Sequence, residues 1–388
     1  MKTKHKFLFM VLALECLLQG VIGLSRSDLY KHVQEKSEPL VPPMDGDKDA
    51  LDISFHMSLF SINRVDDKAQ VLSFTMGIGV IWNNKHVTWN ASHYSDVAII
   101  SLPAKLVWFP RSVCVQNEVG VNKCFPEDST ALISADGTTS LIEVLEISIS
   151  CKMGLKYFPF DKQTCVALYT NRIPHVEKLR FKLRKLNKEE MSYFAEHTEW
   201  TLTDASAEVK DVLSNVPEDN NLIINIKLQR KPFFAICSNL LPIWILSVLN
   251  IVCFLVPVKS GEKMNTCIII FLSFAVFLTG MKDSMPQTSD EVSYFLVYVF
   301  TQLIVSGLVV VLEAIVLHVH HQHEDSELIG SELSMKLEKY FSTNKDMKLK
   351  RKPRRISSRT LDKIFGISVI LINLTSLIIY LVFSLTEF

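Results

Sequence analysis

The sequence predicts an extracellular antiparallel β-sandwich joined to a four-helix transmembrane bundle, and three observations carry that reading. Four apolar stretches, at 233–256, 261–289, 292–317 and 364–385, are each long enough to cross a hydrocarbon core, which takes about 20 residues. Ahead of them, from 24 to 231, short apolar runs alternate with turn signals, the pattern of half-buried strands. Finally, Lys2, Lys4 and Lys6 precede the run FLFMVLAL and the small-residue exit Val21-Ile22-Gly23, so residues 1–23 have the form of a signal peptide and the following segment starts outside the cytoplasm.

Along the outer domain, SDLYKHVQEK reads as a short helix with Ser27 as its N-cap, followed by a Pro-rich linker from Pro39 to Pro43. LDISFHMSLFSI, VLSFTMGIGVIW, SLIEVLEISIS, QTCVALYT, LRFKLRKL, EWTLTDASAEV and NLIINIKLQR then read as strands by period and composition, and 24–231 as one sandwich domain. No repeat of solenoid length interrupts it. Four cysteines fall in this part, Cys114, Cys124, Cys151 and Cys165, in keeping with an oxidising compartment. Closing the loop CKMGLKYFPFDKQTC between Cys151 and Cys165 would stabilise by about 3 kcal/mol in the chain-entropy account. Cys114 and Cys124 are candidates for a second bridge or for free thiols, and spacing alone leaves the connectivity open.

The membrane part divides into three helices over 232–317, a short loop over 318–363, a fourth helix over 364–385 and a tail at 386–388. The dense basic run KLKRKPRRISSR at 348–359 places the long loop in the cytoplasm, with Lys259 and Lys263 on the same side. The acidic connection KDSMPQTSDE lies outside, as do both termini. Equal numbers of acidic and basic residues, 41 each, give no cue for nucleic acid, and the basic run reads as a topology and lipid-headgroup feature.

The second apolar stretch, with its helix at about 263–283, carries a stripe that lipid contact does not explain. Glu262, Asn265, Ile269, Leu272, Val276, Thr279 and Asp283 recur at alternating spacings of three and four and share one helical face. Several such helices around an axis make charged rings at both mouths and a greasy constriction between them, so these seven are the candidate pore-lining residues.

The Cys-x13-Cys loop with Phe158-Pro159-Phe160-Asp161 inside it is followed by four spans, the second opening Gly261-Glu262-Lys263 and followed by Met285-Pro286-Gln287-Thr288-Ser289-Asp290. With Val65-Asp66-Asp67-Lys68 and Arg230-Lys231-Pro232, the chain resembles the Cys-loop pentameric ligand-gated channels, the nicotinic acetylcholine receptors in particular. The resemblance implies a pentameric channel, a homo- or heteropentamer set in membrane lipid, with agonist sites at extracellular interfaces and a pore lined by the second span. Glu262 takes the place of the inner acidic ring of cation-selective members, which implies permeant cations, and Leu272 the central leucine. Ile269 departs from the small hydroxyl residue usual at its level, and Lys282 partly offsets Asp283. Asp67, Asp161 and Arg230, with Phe158, Pro159 and Phe160, match the junction that couples the two domains, and Pro286 matches the part that receives the movement.

Recognition of an amine is where the chain departs from that family. A cage for ammonium needs several electron-rich faces. Seven residues after Cys165 stands Arg172 instead of tryptophan, no tyrosine stands near Val115 and Gln116, and Gly77 occupies the complementary tryptophan position. The tip SAEVKDVLSNVPEDN has neither vicinal cysteines nor an aromatic, and Trp82, Trp89, Trp108 and Trp200 fall on structural positions. A small-molecule agonist of unknown identity, apolar or anionic, is expected at Val115, Ser140, Ile142, Tyr169 and Arg172. The pattern is similar to that of the divergent nicotinic-like receptors that cephalopods use as contact chemoreceptors; the alternative is a non-binding subunit that assembles with an agonist-binding partner.

Other functions have less support. No nucleophile-and-base motif points to an enzyme, and no paired broken helices or inverted repeats point to a transporter. His318, His320, His321 and His323 read as a solvated helix end rather than a zinc site, so no metal and no cofactor is expected. Asn90-Ala91-Ser92 is an N-glycosylation sequon, whereas Asn373-Leu374-Thr375 lies within a span and is set aside. Ser357 follows a basic pair in the manner of a phosphorylation site, and 331–350 reads as helical.

Overall fold

Residues 25–44, 50–120, 124–173, 178–184, 194–211, 220–282, 292–340 and 358–386 are described by a computed structural model. The signal segment, Asp283, Pro286, Ser357 and most of the basic run lie outside the described residues. Helix α1 (Arg26–Lys36) is capped by Ser25 rather than by Ser27. Asp28 decides this, because it sits at the third helical position and its carboxylate accepts a hydrogen bond from the Ser25 backbone N–H (3.0 Å), closing a capping box two residues earlier than expected.

Ten strands follow: β1 (Leu51–Asp66), β2 (Val71–Asn83), β3 (Ile99–Pro103), β4 (Val113–Val115), β5 (Thr130–Ser134), β6 (Thr138–Ser150), β7 (Lys162–Asn171), β8 (Leu179–Leu183), β9 (Trp200–Asp211) and β10 (Asn220–Arg230). They form a six-stranded sheet in the order β3-β5-β6-β2-β1-β8 and a four-stranded sheet in the order β4-β7-β10-β9. Alternate residues of β1, Ile53, Phe55, Met57 and Leu59, meet Ile224, Ile226 and Tyr169 of the other sheet in one core. Each such side chain, fully buried, stabilises by about 1.5–3 kcal/mol. Trp82 and Trp108 meet edge to face inside it, at 5.9 Å.

One pairing departs from the antiparallel expectation: β8 lies parallel to β1, Leu51 opposite Leu179. A period-two pattern says which side chains face inward and is silent on strand direction. The short strands β3, β4 and β5, of three to five residues, also escaped the sequence reading, since so few alternations make no clear period. Two disulfides, Cys114–Cys124 and Cys151–Cys165, tie the sandwich.

The chain then enters four helices long and apolar enough to cross a membrane. These are α2 (Pro232–Leu255), α3 (Lys263–Lys282), α4 (Tyr294–Tyr340) and α5 (Ser358–Leu385). A π-turn at Ile236–Leu240 in α2 precedes Pro242, whose missing N–H cannot serve the ordinary helical ladder. Helix α4 runs unbroken past the expected end of its span as far as Tyr340, with no proline in that stretch and the isolated Gly330 tolerated inside it. Polar contacts join the helices at depth: Ser247 to Gln302 (3.0 Å), Gln302 to Ser376 (2.9 Å) and Ser306 to Asn250 (3.1 Å). Nearer the cytoplasmic end the buried Lys263 ammonium meets Glu313 at 2.9 Å and Asp362 at 2.7 Å, tying α3 to α4 and α5. Pattern reading gave no hint of these partners, because a lone polar residue in an apolar run does not name what it faces.

Candidate functional site

Helix α3 has two unlike faces. Lys263, Cys267, Ile270, Phe274, Leu278 and Met281 are buried against the other helices. Glu262, Asn265, Ile269, Leu272, Val276 and Thr279 are exposed, with Ile269, Leu272 and Val276 at 54%, 54% and 73%. The stripe singled out from spacing is therefore the face this chain leaves uncovered, running from a carboxylate through an amide and three aliphatic side chains to a hydroxyl.

Above α3, strand ends and the Cys151–Cys165 loop build a junction. Arg230 closes β10 and donates from Nε to Asp161 Oδ1 (2.8 Å) and from Nη2 to Asp161 Oδ2 (3.2 Å) and Asp67 Oδ2 (2.7 Å). Its guanidinium lies 4.2 Å from the Trp200 ring centre and 5.2 Å from that of Phe158. Arg230 and Asp161 are buried, so this is not the exposed ion pair that contributes little. Burial opposes the charge on Arg230, yet Asp161 and Asp67 outweigh it and hold the guanidinium more firmly protonated. Burial pushes the Asp67 carboxyl above its usual range, and the pull of Arg230 only partly offsets this.

The loop itself reaches into the bundle. Phe158, joined to Pro159 by a cis peptide bond, packs on Phe295 of α4 (5.3 Å between rings), and its carbonyl accepts a hydrogen bond from Tyr380 of α5 (3.2 Å). Lys156 accepts at its carbonyl from the Tyr294 N–H (3.1 Å), and the Phe160 N–H turns back to Tyr157. A cavity of about 150 Å³ lies beside this contact, between Arg230, Phe234, Asn239 and Met281.

The five ligand-pocket candidates separate, and two are corrected. Val115 and Tyr169 are 1% and 2% exposed in the sandwich core, and burial pushes the Tyr169 hydroxyl upward, so neither lines a surface pocket. The sequence held the signal for this: Tyr169 shares its strand face with Cys165 and Ala167, both buried. Arg172 is exposed just beyond the end of β7, whereas Ser140 and the exposed Ile142 lie on β6 of the other sheet. One chain alone does not bring Arg172 and Ile142 together. Trp82, Trp89, Trp108 and Trp200 are all buried, as expected of structural residues. Asn90 is exposed and its side chain accepts from the Ser92 N–H. The histidines of α4 form no metal-ligating group among the described residues.

Residues 26–232 match the family described as the neurotransmitter-gated ion-channel ligand binding domain, and residues 240–381 match the neurotransmitter-gated ion-channel transmembrane region. The chain belongs to the neurotransmitter-gated ion-channel family. It is accordingly a multi-pass plasma-membrane protein, of a family of channels and not of enzymes. Among its relatives, neuronal acetylcholine receptor subunit alpha-3 of Carassius auratus is 26% identical over 81% of this chain and 62% of that protein. The human subunit of the same name is 26% identical over 79% of this chain and 62% of its own length. Ligand-gated ion channel 4 of Caenorhabditis briggsae is 26% identical over 77% of this chain and 47% of its own length. The chain thus spans about six-tenths or less of the length of these relatives.

Proposed function

We propose that this chain is a subunit of a pentameric, cation-selective, ligand-gated channel whose agonist is not acetylcholine but an apolar small molecule, in keeping with a chemosensory role. The observation that carries the channel reading is the uncovered stripe of α3, which only a ring of further helices would line in a useful way. The buried Arg230 cluster supports coupling, since it joins the strand that enters α2 to the loop that touches α4 and α5. The exposed Arg172 argues against an ammonium ligand, because a fixed cation at the box position repels another.

The burial of Val115 and Tyr169 favours a second reading, a non-binding subunit of a heteropentamer, because it leaves fewer side chains for a pocket. Expression of this chain alone, with a panel of amines, amino acids and apolar molecules, separates the two. Currents to apolar compounds and none to acetylcholine support the first reading. Surface delivery only alongside a nicotinic-type partner supports the second, and robust acetylcholine currents unaffected by Arg172→Ala defeat both.

A further inference from the structure

Two polar layers cross the helix bundle one turn apart, and they differ in how fully they are answered. In the first, Ser247 of α2 meets Gln302 of α4 (3.0 Å), and Gln302 donates to Ser376 of α5 (2.9 Å). Helices α2 and α4 run away from the sandwich and α5 runs back to it, where Tyr380 reaches Phe158. One turn farther from the sandwich therefore stand Asn250, Ser306 and Asn373, which are three, four and three positions from the members of the first layer on the same helix faces. There Ser306 donates to Asn250 Oδ1 (3.1 Å). Asn250 Nδ2 and both Nδ2 and Oδ1 of Asn373 have no hydrogen-bond partner among the described residues. Asn250 and Ser306 are 0% exposed and Asn373 8%, so all three side chains are closed inside the bundle.

A buried amide is costly to leave unanswered, and polar side chains within a membrane span persist where they have something to bind. Turning either amide over does not help, because each asparagine only exchanges one open atom for the other. What stays open is a donor on α2 and a donor and an acceptor on α5. A metal ion answers acceptors alone and an anion donors alone, and residues 232–255, 264–281, 294–312 and 364–385 contain no charged side chain that would hold either. Lys263, Glu313 and Asp362 lie two turns or more farther on and answer one another. Water both donates and accepts, and a buried water makes about three hydrogen bonds, the number of atoms left open here.

We propose that the layer of Asn250, Ser306 and Asn373 is a binding site for ordered water inside the helix bundle, a bridge that accepts from Asn250 Nδ2 and donates to Asn373 Oδ1. It joins α2, which the strand of Arg230 enters, to α5, whose Tyr380 holds the Phe158 carbonyl. The two helices that the junction touches at one end are thus tied again deeper in the membrane. This holds whichever agonist opens the channel. Asn373, of no use as a sequon within a span, has its part here.

The test is X-ray radiolytic footprinting of the full-length protein in lipid nanodiscs, in which a bound water is split in place and oxidises the side chains beside it, read by mass spectrometry. Val309 and Val369, buried one turn from Ser306 and Asn373, are expected to be oxidised. Ile243 and Val316, equally buried but about two turns or more from the layer, are expected to stay intact. Asn250→Leu combined with Asn373→Leu removes every open atom at once, so oxidation of Val309 and Val369 should fall about fivefold while Ile243 and Val316 do not change. Valines oxidised no more than the two distant side chains, or oxidation that survives the double variant, overturns the proposal. If the double variant does not reach the membrane, a single-particle map of the unmodified protein at a resolution that shows water decides: compact density between the two amides is expected, and either no density or the elongated density of another molecule overturns the site.

Discussion

Arg230 is held by two carboxylates that differ in what they contribute. Asp161 is 2% exposed, receives two bonds from the guanidinium and a third from Gln163 Nε2 (2.6 Å), so its charge is fully answered. Asp67 gives one oxygen to Arg230 while Oδ1 is buried with no hydrogen-bond partner among the described residues, and burial raises its affinity for a proton. A carboxyl whose folded pKa is raised contributes stability that is present below its unfolded pKa and lost as pH rises through the folded pKa. At neutral pH its ionised form is therefore a net cost from that titration. Asp67→Asn should accordingly leave thermal stability near that of the parent or above it at neutral pH, with the difference shrinking on acidification. Asp161→Asn should cost about 3–5 kcal/mol, because it leaves the buried guanidinium with Asp67 as its one remaining carboxylate among the described residues. Melting of the detergent-solubilised protein across pH checks both, and equal losses from the two variants would refute the assignment. The three charges were legible in the sequence through its motifs, but their burial was not, since an acidic residue in a loop reads the same whether water or a guanidinium faces it.

Helix α3 shows what helical periodicity can and cannot deliver. Spacing alone found the exposed face, because three-and-four periodicity is a property of the helix itself. It did not find the partners of the opposite face, which depend on how α4 and α5 dock. Within the exposed face Ile269, Leu272 and Val276 form three aliphatic levels in succession. A narrow pore excludes water from such a stretch, so Ile269→Ser should shorten the dry section and raise resting leak, read as holding current without agonist. A holding current identical to that of the parent would count against a hydrophobic gate at this level. On the opposite face Lys263→Met would leave Glu313 and Asp362 facing each other without their cation. A loss of about 3–5 kcal/mol is expected, seen as reduced surface delivery and a lower melting temperature. Replacing Glu313 by Gln and Asp362 by Asn in the Lys263→Met background should recover part of it; no loss in Lys263→Met would show that the triad does not bind the helices together.

At the scale of the whole molecule, the two-part architecture was legible because each part has a strong pattern: period two over the sandwich and four apolar runs over the bundle. The parallel β8 was not, since it arises from how strands register against one another. The same limit applied to Glu262 and Lys263, adjacent residues of opposite charge at the foot of α3. Spacing placed Glu262 on the stripe, but nothing in the sequence named what would answer Lys263. The structure turns Lys263 inward, 4% exposed and answered by two carboxylates, and leaves Glu262 exposed, with no ion pair among the described residues. The charge presented at this end of the stripe is therefore negative. Five copies around an axis would concentrate cations at a narrow mouth and repel anions. The reversal potential is thus expected to follow sodium substitution and to ignore chloride, and Glu262→Gln should lower the cation preference. Arg172→Ala should leave the selectivity untouched, because Arg172 lies beyond the end of β7 in the outer domain while Glu262 stands at the foot of a span about 30 Å long. Reversal that tracks chloride in the unmodified channel would mean that another charge governs the pore and would remove Glu262 from that role.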